Sequence, residues 1–471
     1  MRKSLKLFRF LRNYMKRFFY LNFRYYYLVR HYLLRRLTKA GILVLSACVL
    51  SAVLGLNTYR ALVYQIFTFL VSLILISFVW SRFFRVRISA ERILPRFATA
   101  GKPFAYSIII RNLSRKMQIG LCFAEEFSDP RPDFETFVHT PEPGENFRNI
   151  ADRFMGFYRW EWLLSRKEPS GTGYREVPVL PPRGEVRVQA ELVPRNRGVL
   201  HFTGITPART DPFGLFYACR FFPLPGSLTV LPARYDLPHF RLPGTRRHQS
   251  GGIALISSVG DSEEFISLRD YRPGDPLRKI HWKSWAKTGK PVVREFQGEY
   301  FVRHALILDT FQQEEYTDVF EEAVAVTASF ACTVQTQESL LDLMFVGTET
   351  VCITSGRGLG HQDRTLEVLA SVRPCRDSEF VRLASSVLER AALLSGCICV
   401  LLKWDTERRN FIAQLRAKGL PVLVLVTVPP RQPGEAEPDT GPMSDKADFF
   451  HVLEAGRIAE GLARLPVREY K

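Results

Sequence analysis

Acidic residues are missing from the first ninety positions, the first carboxylate being Glu91. Sixteen of the 65 Lys and Arg residues lie at or before Arg87, and the other 49 face 47 acids, so residues 91–471 are almost neutral. This excludes a chain-wide electrostatic footprint for DNA or RNA and assigns the formal charge of +18 to the N-terminal segment. Walker A, His-Glu-x-x-His, Gly-x-Ser-x-Gly and Cys-x-x-Cys strings are also absent. The usual local signatures of nucleotide hydrolysis, zinc proteolysis, acyl-enzyme chemistry and structural zinc are therefore missing. The eight cysteines are scattered, and Cys397 and Cys399 alternate within the apolar run CICVLL as small core residues would. Free thiols suit a reducing compartment.

What the sequence does have, beside that basic charge, is a pair of long apolar runs. Leu37–Leu56 and Ala61–Trp80 (37–80 together) each hold 20 residues, enough at ~1.5 Å per residue to cross a ~30 Å hydrocarbon core. Only Asn57-Thr58-Tyr59-Arg60 separates them, which predicts two transmembrane helices in a tight hairpin with both ends on one side. Lys and Arg crowd the segment before the first run, and Arg82, Arg85 and Arg87 follow the second, whereas the loop has Arg60 alone. The positive-inside bias puts both termini in the cytoplasm. A cleaved signal peptide is not expected, because the basic region is long and a second run follows directly. Residues 1–36 interleave aromatics with cations, which fits an interfacial helix on the lipid bilayer; stacking on single-stranded RNA is the alternative.

The 381 residues from Glu91 on are too many for one compact core. Residues 86–235 contain short alternating runs such as FAYSIIIRN, EVRVQAELV and GSLTVLP, the pattern of a β-sandwich. An insertion at 129–175 carries Phe154, Phe157, Tyr158, Trp160 and Trp162, either as a cover for the sandwich or as a docking surface. Residues 236–300 begin as a Pro/Gly/Arg-rich linker, and 301–465 alternate strand and helix, which predicts an α/β domain with a mostly parallel sheet.

The second half of the linker region holds the string Arg269, Tyr271, Pro273-Gly274-Asp275, Ile280, Trp282, Ala286, Gly289 and Glu295-Phe296. It resembles the signature of the bacterial family called "domain of unknown function 58". RNRGVLHFTGITPARTDPFGLF (residues 195–216) resembles the segment that precedes the signature in that family. The resemblance covers most of residues 40–465. It implies a von Willebrand factor A-like fold for the last domain, a place in the bacterial cytoplasmic (inner) membrane, and partnership with a MoxR-type AAA+ ATPase. No reaction is implied.

Physically the signature reads as a helix over 276–288, with Asp275 as N-cap and Gly289 as C-cap and with Tyr271 and Trp282 wedging the entry segment against it. Lys279, Lys283 and Lys287 recur every four residues, as a solvated face or a partner-docking stripe. Internal wiring, docking and catalysis are all open for this segment, although His281 has no recognisable nucleophile beside it. Von Willebrand A-like domains often bind a divalent ion through Asp-x-Ser-x-Ser after the first strand, and this chain has DTFQQ. Asp309, Thr310 and Asp405 could retain weak Mg²⁺ affinity, but Phe311 and Gln313 stand where hydroxyl ligands belong. No cofactor is otherwise expected. The reading favoured is a membrane-anchored interaction or assembly factor without catalytic residues; the alternative is a membrane-associated metal-dependent hydrolase using Asp261, Asp270, Asp275, His281 or Asp309.

Overall fold

The computed structural model describes residues 2–54, 61–238, 265–273, 275, 277, 280–296, 303–314, 316–335, 340–347, 349–355, 359–376, 379–431 and 438–465. Most of the linker with Asp261, the loop Asn57–Arg60, signature position Gly274 and Lys279 of the lysine stripe lie outside these residues. The protein is mixed α/β with several sheets. It divides into two compact units: one spans Met1–Arg234, and the other runs from Tyr235 apart from the short stretches 314–318 and 366–372.

The first unit opens with three helices: α1 (Arg2–Arg36), α2 (Lys39–Leu54) and α3 (Ala61–Ser81). Among the described residues, one helix, over Leu62–Ser81, is long and apolar enough to cross a membrane. The expected first span starts two residues later than predicted, and its last two residues, Gly55 and Leu56, lie outside the described residues. Helix α2 covers 16 residues, and Leu37 lies outside it, bridged to Phe216. Thr38 explains the break, because its Oγ1 accepts from the Gly41 amide (2.9 Å) as an N-cap and restarts the helix.

Strands β1 (Ile88–Ile93), β2 (Phe97–Thr99), β3 (Phe104–Asn112) and β4 (Leu121–Phe127) follow, then helices α4 (Phe134–His139), α5 (Ile150–Met155) and α6 (Phe157–Lys167). Strands β5 (Arg175–Glu176), β6 (Glu185–Leu192), β7 (Gly198–Thr210), β8 (Tyr217–Cys219) and β9 (Phe222–Leu231) complete the unit. One sheet has the order β1-β3-β6 and is antiparallel; the other has the order β2-β9-β7-β4-β5, with β8 on β7. In β6, Val188, Ala190 and Leu192 point inward and Glu185, Gln189 and Glu191 outward, the period-two pattern of a half-buried strand. Both sheets feed one core that contains Ile108, Phe123, Leu192, Phe202 and Val230. Each such large side chain, fully buried, contributes on the order of 1.5–3 kcal/mol.

The second unit holds β10 (Phe265–Asp270), α7 (Trp282–Thr288) and β11 (Val292–Phe296), followed by a six-stranded sheet. The sheet elements are β12 (Arg303–Leu308), α8 (Asp318–Gln335), β13 (Leu340–Val346), β14 (Thr350–Ser355), α9 (Leu359–Ser371), α10 (Phe380–Arg390), β15 (Gly396–Leu401), α11 (Thr406–Ala417), β16 (Val422–Val428), β17 (Phe450–Glu454) and α12 (Ile458–Leu462). The strand order is β14-β13-β12-β15-β16-β17, with every pair parallel except the β13–β14 hairpin. The central strands are buried at every position of GCICVL, so they read as continuous apolar runs rather than alternating ones. Cys397 and Cys399 share a core cluster with Phe411 and Val424, and burial pushes the Cys397 thiol up to about 12.

Candidate functional site

Three constructions in the molecule are held by specific side-chain contacts, two of them between segments distant in sequence. The first is at the base of the apolar helices. Asp211 folds the loop after β7 on itself: its Oδ1 accepts from the Leu215 and Phe216 amides (2.7 Å each) and its Oδ2 from Phe213 (3.1 Å). The loop then presents carbonyls to the start of α2. Thr38 donates its amide to Leu215 O (3.0 Å) and its hydroxyl to Gly214 O (2.5 Å). Position 41 must be glycine here, because a Cβ would lie 2.1 Å from Leu215 O. The DPFGLF segment, singled out in the sequence only by resemblance, is thus the clasp between the sheets and the helical hairpin. Beside it, Arg35 pairs with Glu126 (2.6 Å), and Tyr174 donates its hydroxyl to Arg35 O (3.0 Å).

Helix α1 has two aromatic faces. Tyr20, Phe23 and Tyr27 pack on the insertion, against Phe134, Phe137 and Trp160, with Tyr20 edge-on to Trp160 at 5.6 Å between centroids. The insertion aromatics therefore cover the N-terminal arm, a pairing the sequence did not reveal. Tyr27 donates to Glu168 (2.5 Å), and burial first, then that carboxylate, push its hydroxyl pKa well up. Tyr14, Phe18, Leu21, Tyr25, Leu28 and Tyr32, at steps of four and three, form the other face and are all exposed, with Arg17 and Arg24 exposed nearby.

The second construction is the signature hairpin, β10–α7–β11. Asp275 does not cap α7, which begins only at Trp282 with His281 at its N-cap. Its carboxylate instead receives a two-pronged contact from Arg269, Nη1 to Oδ2 and Nη2 to Oδ1 at 2.8 Å each, and the Arg272 amide at 2.9 Å. Arg269 holds this carboxyl down at about 2. The Asp-Pro reading failed because an arginine six residues upstream claims the carboxylate in place of the helix start. Gly289 terminates α7 in the left-handed region (φ 68°), and its amide donates to Trp285 O (2.9 Å). Ile280, Val292 and Val293 are buried between strand and helix. Trp282 is not a wedge: it is 62% exposed and stacks on Trp285 at 5.2 Å and 19°. Tyr271 is half-buried, its amide donating to Pro291 O (2.9 Å). Ala286, Lys283 and Lys287 are exposed on α7.

The third construction is at the end of β12. Asp309 and Thr310 are fully buried, and Thr310 donates its hydroxyl to Val346 O (2.5 Å). Asp309 accepts from the Phe311 amide (3.0 Å), the Leu402 amide (3.1 Å) and Arg408, from Nε at 3.0 Å and Nη2 at 3.3 Å. The same guanidinium reaches Asp405 (Nη1 to Oδ2, 2.7 Å) and lies 4.4 Å over the Phe380 ring. Burial opposes its charge, but Asp309 and then Asp405 outweigh that and raise the arginine pKa further. These donors do not fit a divalent cation as they stand. Asp309 is already saturated by hydrogen bonds, Phe311 has no oxygen to offer, and a protein cation already bridges the two carboxylates. Among the described residues no group of three or more His, Cys, Asp and Glu could hold a metal ion. Sequence reasoning passed over Arg408, whose signal was an arginine three residues after Asp405 at the start of α11.

A relative described as "Uncharacterized protein YeaD" from Bacillus subtilis (strain 168) is 29% identical over 236 residues, which are 50% of this chain. The chain spans 58% of that relative's length. Among solved structures, a CARDB domain from Pyrococcus furiosus aligns with 30% of this chain and 93% of its own, at 10% identity and TM-score 0.16. Salmonella alpha-2-macroglobulin aligns with 34% of this chain and 8% of its own, at 13% identity and TM-score 0.17. Likenesses at such scores carry no argument about fold. Residues 267–444, which include most of the hairpin and all of the Asp309–Arg408 cluster, match the family described as "Protein of unknown function DUF58".

Proposed function

We propose that the protein is a membrane-anchored assembly factor whose signature hairpin docks a MoxR-type AAA+ ATPase. The observation that carries this reading is the Trp282–Trp285 stack, in which Trp282 is exposed and Trp285 half-buried, held on a hairpin that the Arg269–Asp275 fork braces. A stacked tryptophan pair is the composition of a protein-binding hot spot, and Lys283 and Lys287 beside it are rim charges of the kind that steer encounter. Asp309 and Thr310, at the end of β12, are buried and offer a partner no surface, whereas Trp282 on the hairpin does. The ATPase itself comes from the family resemblance, as do the von Willebrand A-like reading of the six-stranded sheet and the bacterial inner membrane. In the same reading the two sheets of residues 86–235 form a β-sandwich, α2 and α3 both span, both termini are cytoplasmic, and the exposed face of α1 lies on the anionic bilayer surface.

The hydrolase alternative has one local feature in its favour, His281 Nδ1 at 2.6 Å from Ser284 Oγ. The two side chains sit three residues apart at the start of one helix, where neighbours on one face meet without any catalytic role. The test is co-purification of the full chain in detergent with the ATPase, with and without ATP. Trp282→Ala should weaken binding about thirtyfold or more, as loss of a hot-spot side chain does, and reversing Lys283 and Lys287 to glutamate should slow association and flatten its salt dependence. No binding by the unaltered chain would sink the reading; binding indifferent to both variants would move the contact off the hairpin.

A further inference from the structure

We propose that the base of the helical hairpin holds one anionic phospholipid, its phosphate on Arg36 and an acyl chain in the crevice beside it. This rests on the membrane reading above and adds a specific ligand to it. The crevice has a volume of about 220 Å³. Its walls are Leu45 from α2, Ile74 and Phe78 from α3, and Leu215 and Phe216 from the Asp211 loop, with Tyr32 and Arg36 from α1 at the side. Cavities of ~150 Å³ with comparable apolar walls stay dry and take up apolar ligands, so this one is large enough for hydrocarbon.

Three further observations select a phospholipid over other apolar occupants. First, the two consecutive arginines at the end of α1 are used differently. Arg35 is paired with Glu126, whereas Arg36 makes no ion pair among the described residues and lies 5.6 Å over the Tyr32 ring at the crevice. A guanidinium presents a forked donor set suited to phosphate. Secondly, no carboxylate precedes Glu91, so the arm and both apolar helices offer this arginine no acid of their own. Thirdly, the crevice opens among the first turns of α2 and the last turns of α3, where Leu45 and Phe78 are themselves exposed. That end of the hairpin also meets the clasp of Thr38 and Asp211, so the site is where an apolar surface gives way to a polar one. Anionic headgroup and acyl chain are separated at the same boundary in a bilayer.

The experiment uses the full chain, extracted in detergent and equilibrated with equal amounts of phosphatidylglycerol and phosphatidylcholine, with retained lipid counted by mass spectrometry. The unaltered protein should retain phosphatidylglycerol over phosphatidylcholine by about tenfold, because both carry the phosphate but choline adds a fixed cation beside Arg36 whereas glycerol adds no charge. Arg36→Gln should abolish the preference and Arg36→Lys should keep part of it. Ile74→Trp, which fills the crevice, should lose both lipids. Sedimentation with carbonate-washed membranes, and the thermal midpoint in lipid-free detergent, serve as controls and should not change. Equal retention of the two lipids, or Arg36→Gln and Ile74→Trp behaving like the unaltered chain, would overturn the site while leaving membrane anchoring intact. Displacement by millimolar inorganic phosphate would overturn the acyl-chain component. A chain that does not sediment with membranes at all would overturn both the site and the anchoring on which it rests.

Discussion

Two arginine–carboxylate forks in the second unit use the same chemistry in opposite surroundings. Arg408 meets Asp309 where both side chains are almost wholly withdrawn from water, at 6% and 0% exposure. Arg269 meets Asp275 with 35% and 16% exposure, in a hairpin loop beside an exposed tryptophan. In the interior, each charge is held by the cost of leaving the other uncompensated, so the fork is a structural lock. Near the surface water competes for both partners, and what remains is mainly geometric: the fork fixes the direction of the loop. The contrast separates a site closed to ligands from one able to present a surface to a partner.

The largest effect should come from breaking the interior fork. Arg408→Ala strands Asp309 in the core and should destabilise the chain by about 3–5 kcal/mol, measured by thermal or chemical unfolding in detergent. Combining Arg408→Leu with Asp309→Asn should recover much of that loss. A single variant as stable as the parent would mean that water or a cation reaches Asp309 after all.

Gly41→Ala probes a neutral clasp instead of an ionic one. Its Cβ would meet Leu215 O at 2.1 Å, and overpacking of this kind costs about 1–3 kcal/mol. The expected result is faster proteolysis in the 211–216 loop together with a lower midpoint. An unchanged cleavage pattern would show that the clasp can slide.

Asp275→Asn should lower the midpoint slightly at neutral pH and should weaken the proposed ATPase binding, because the hairpin loses its brace. The sign of its pH dependence follows from the depressed pKa. The carboxylate stabilises the folded form above its unfolded value of about 3.9, and the effect disappears only as pH falls through about 2. Midpoints of parent and variant should therefore run parallel from pH 8 to 5 and converge below; divergence near pH 6 would contradict the assignment.

The smallest effect is expected from metal. Millimolar Mg²⁺ should leave the parent midpoint unchanged, whereas a ligand at 100 times its Kd would add about 2.7 kcal/mol. A rise that Asp309→Ala abolishes would show that Arg408 yields to the ion.

Some of this was readable in the residues themselves. FAYSIIIRN is the strand Phe104–Asn112, and VLVLVTV is the strand Val422–Val428; period-two and unbroken apolar runs are local properties that need no partner. The apolar run after Arg60 is the helix Ala61–Ser81 for the same reason. Asp275 was misread because the DP pair is an equally local signal for a helix start, and nothing in the adjacent residues shows that Arg269 claims the carboxylate. The role of Trp282 was misread with it, since a helix beginning six residues later turns a different face to the strands.

By itself, then, the sequence determined the period, polarity and charge of each segment: a basic arm without acids, apolar helices, alternating strands and buried parallel ones. Only the tertiary structure decided which segment answers which. It put the insertion aromatics on the arm through Tyr20 and Trp160, the Asp211 loop on Thr38 and Gly41, and Arg408 between Asp309 and Asp405. The physical reason is range. Periodicity is set by neighbours a few residues apart, whereas Arg408 and Asp309 are 99 positions apart and Thr38 and Leu215 are 177 apart. Such pairs are selected by burial and by the need to satisfy each buried charge and carbonyl, and these constraints exist only once the chain has folded.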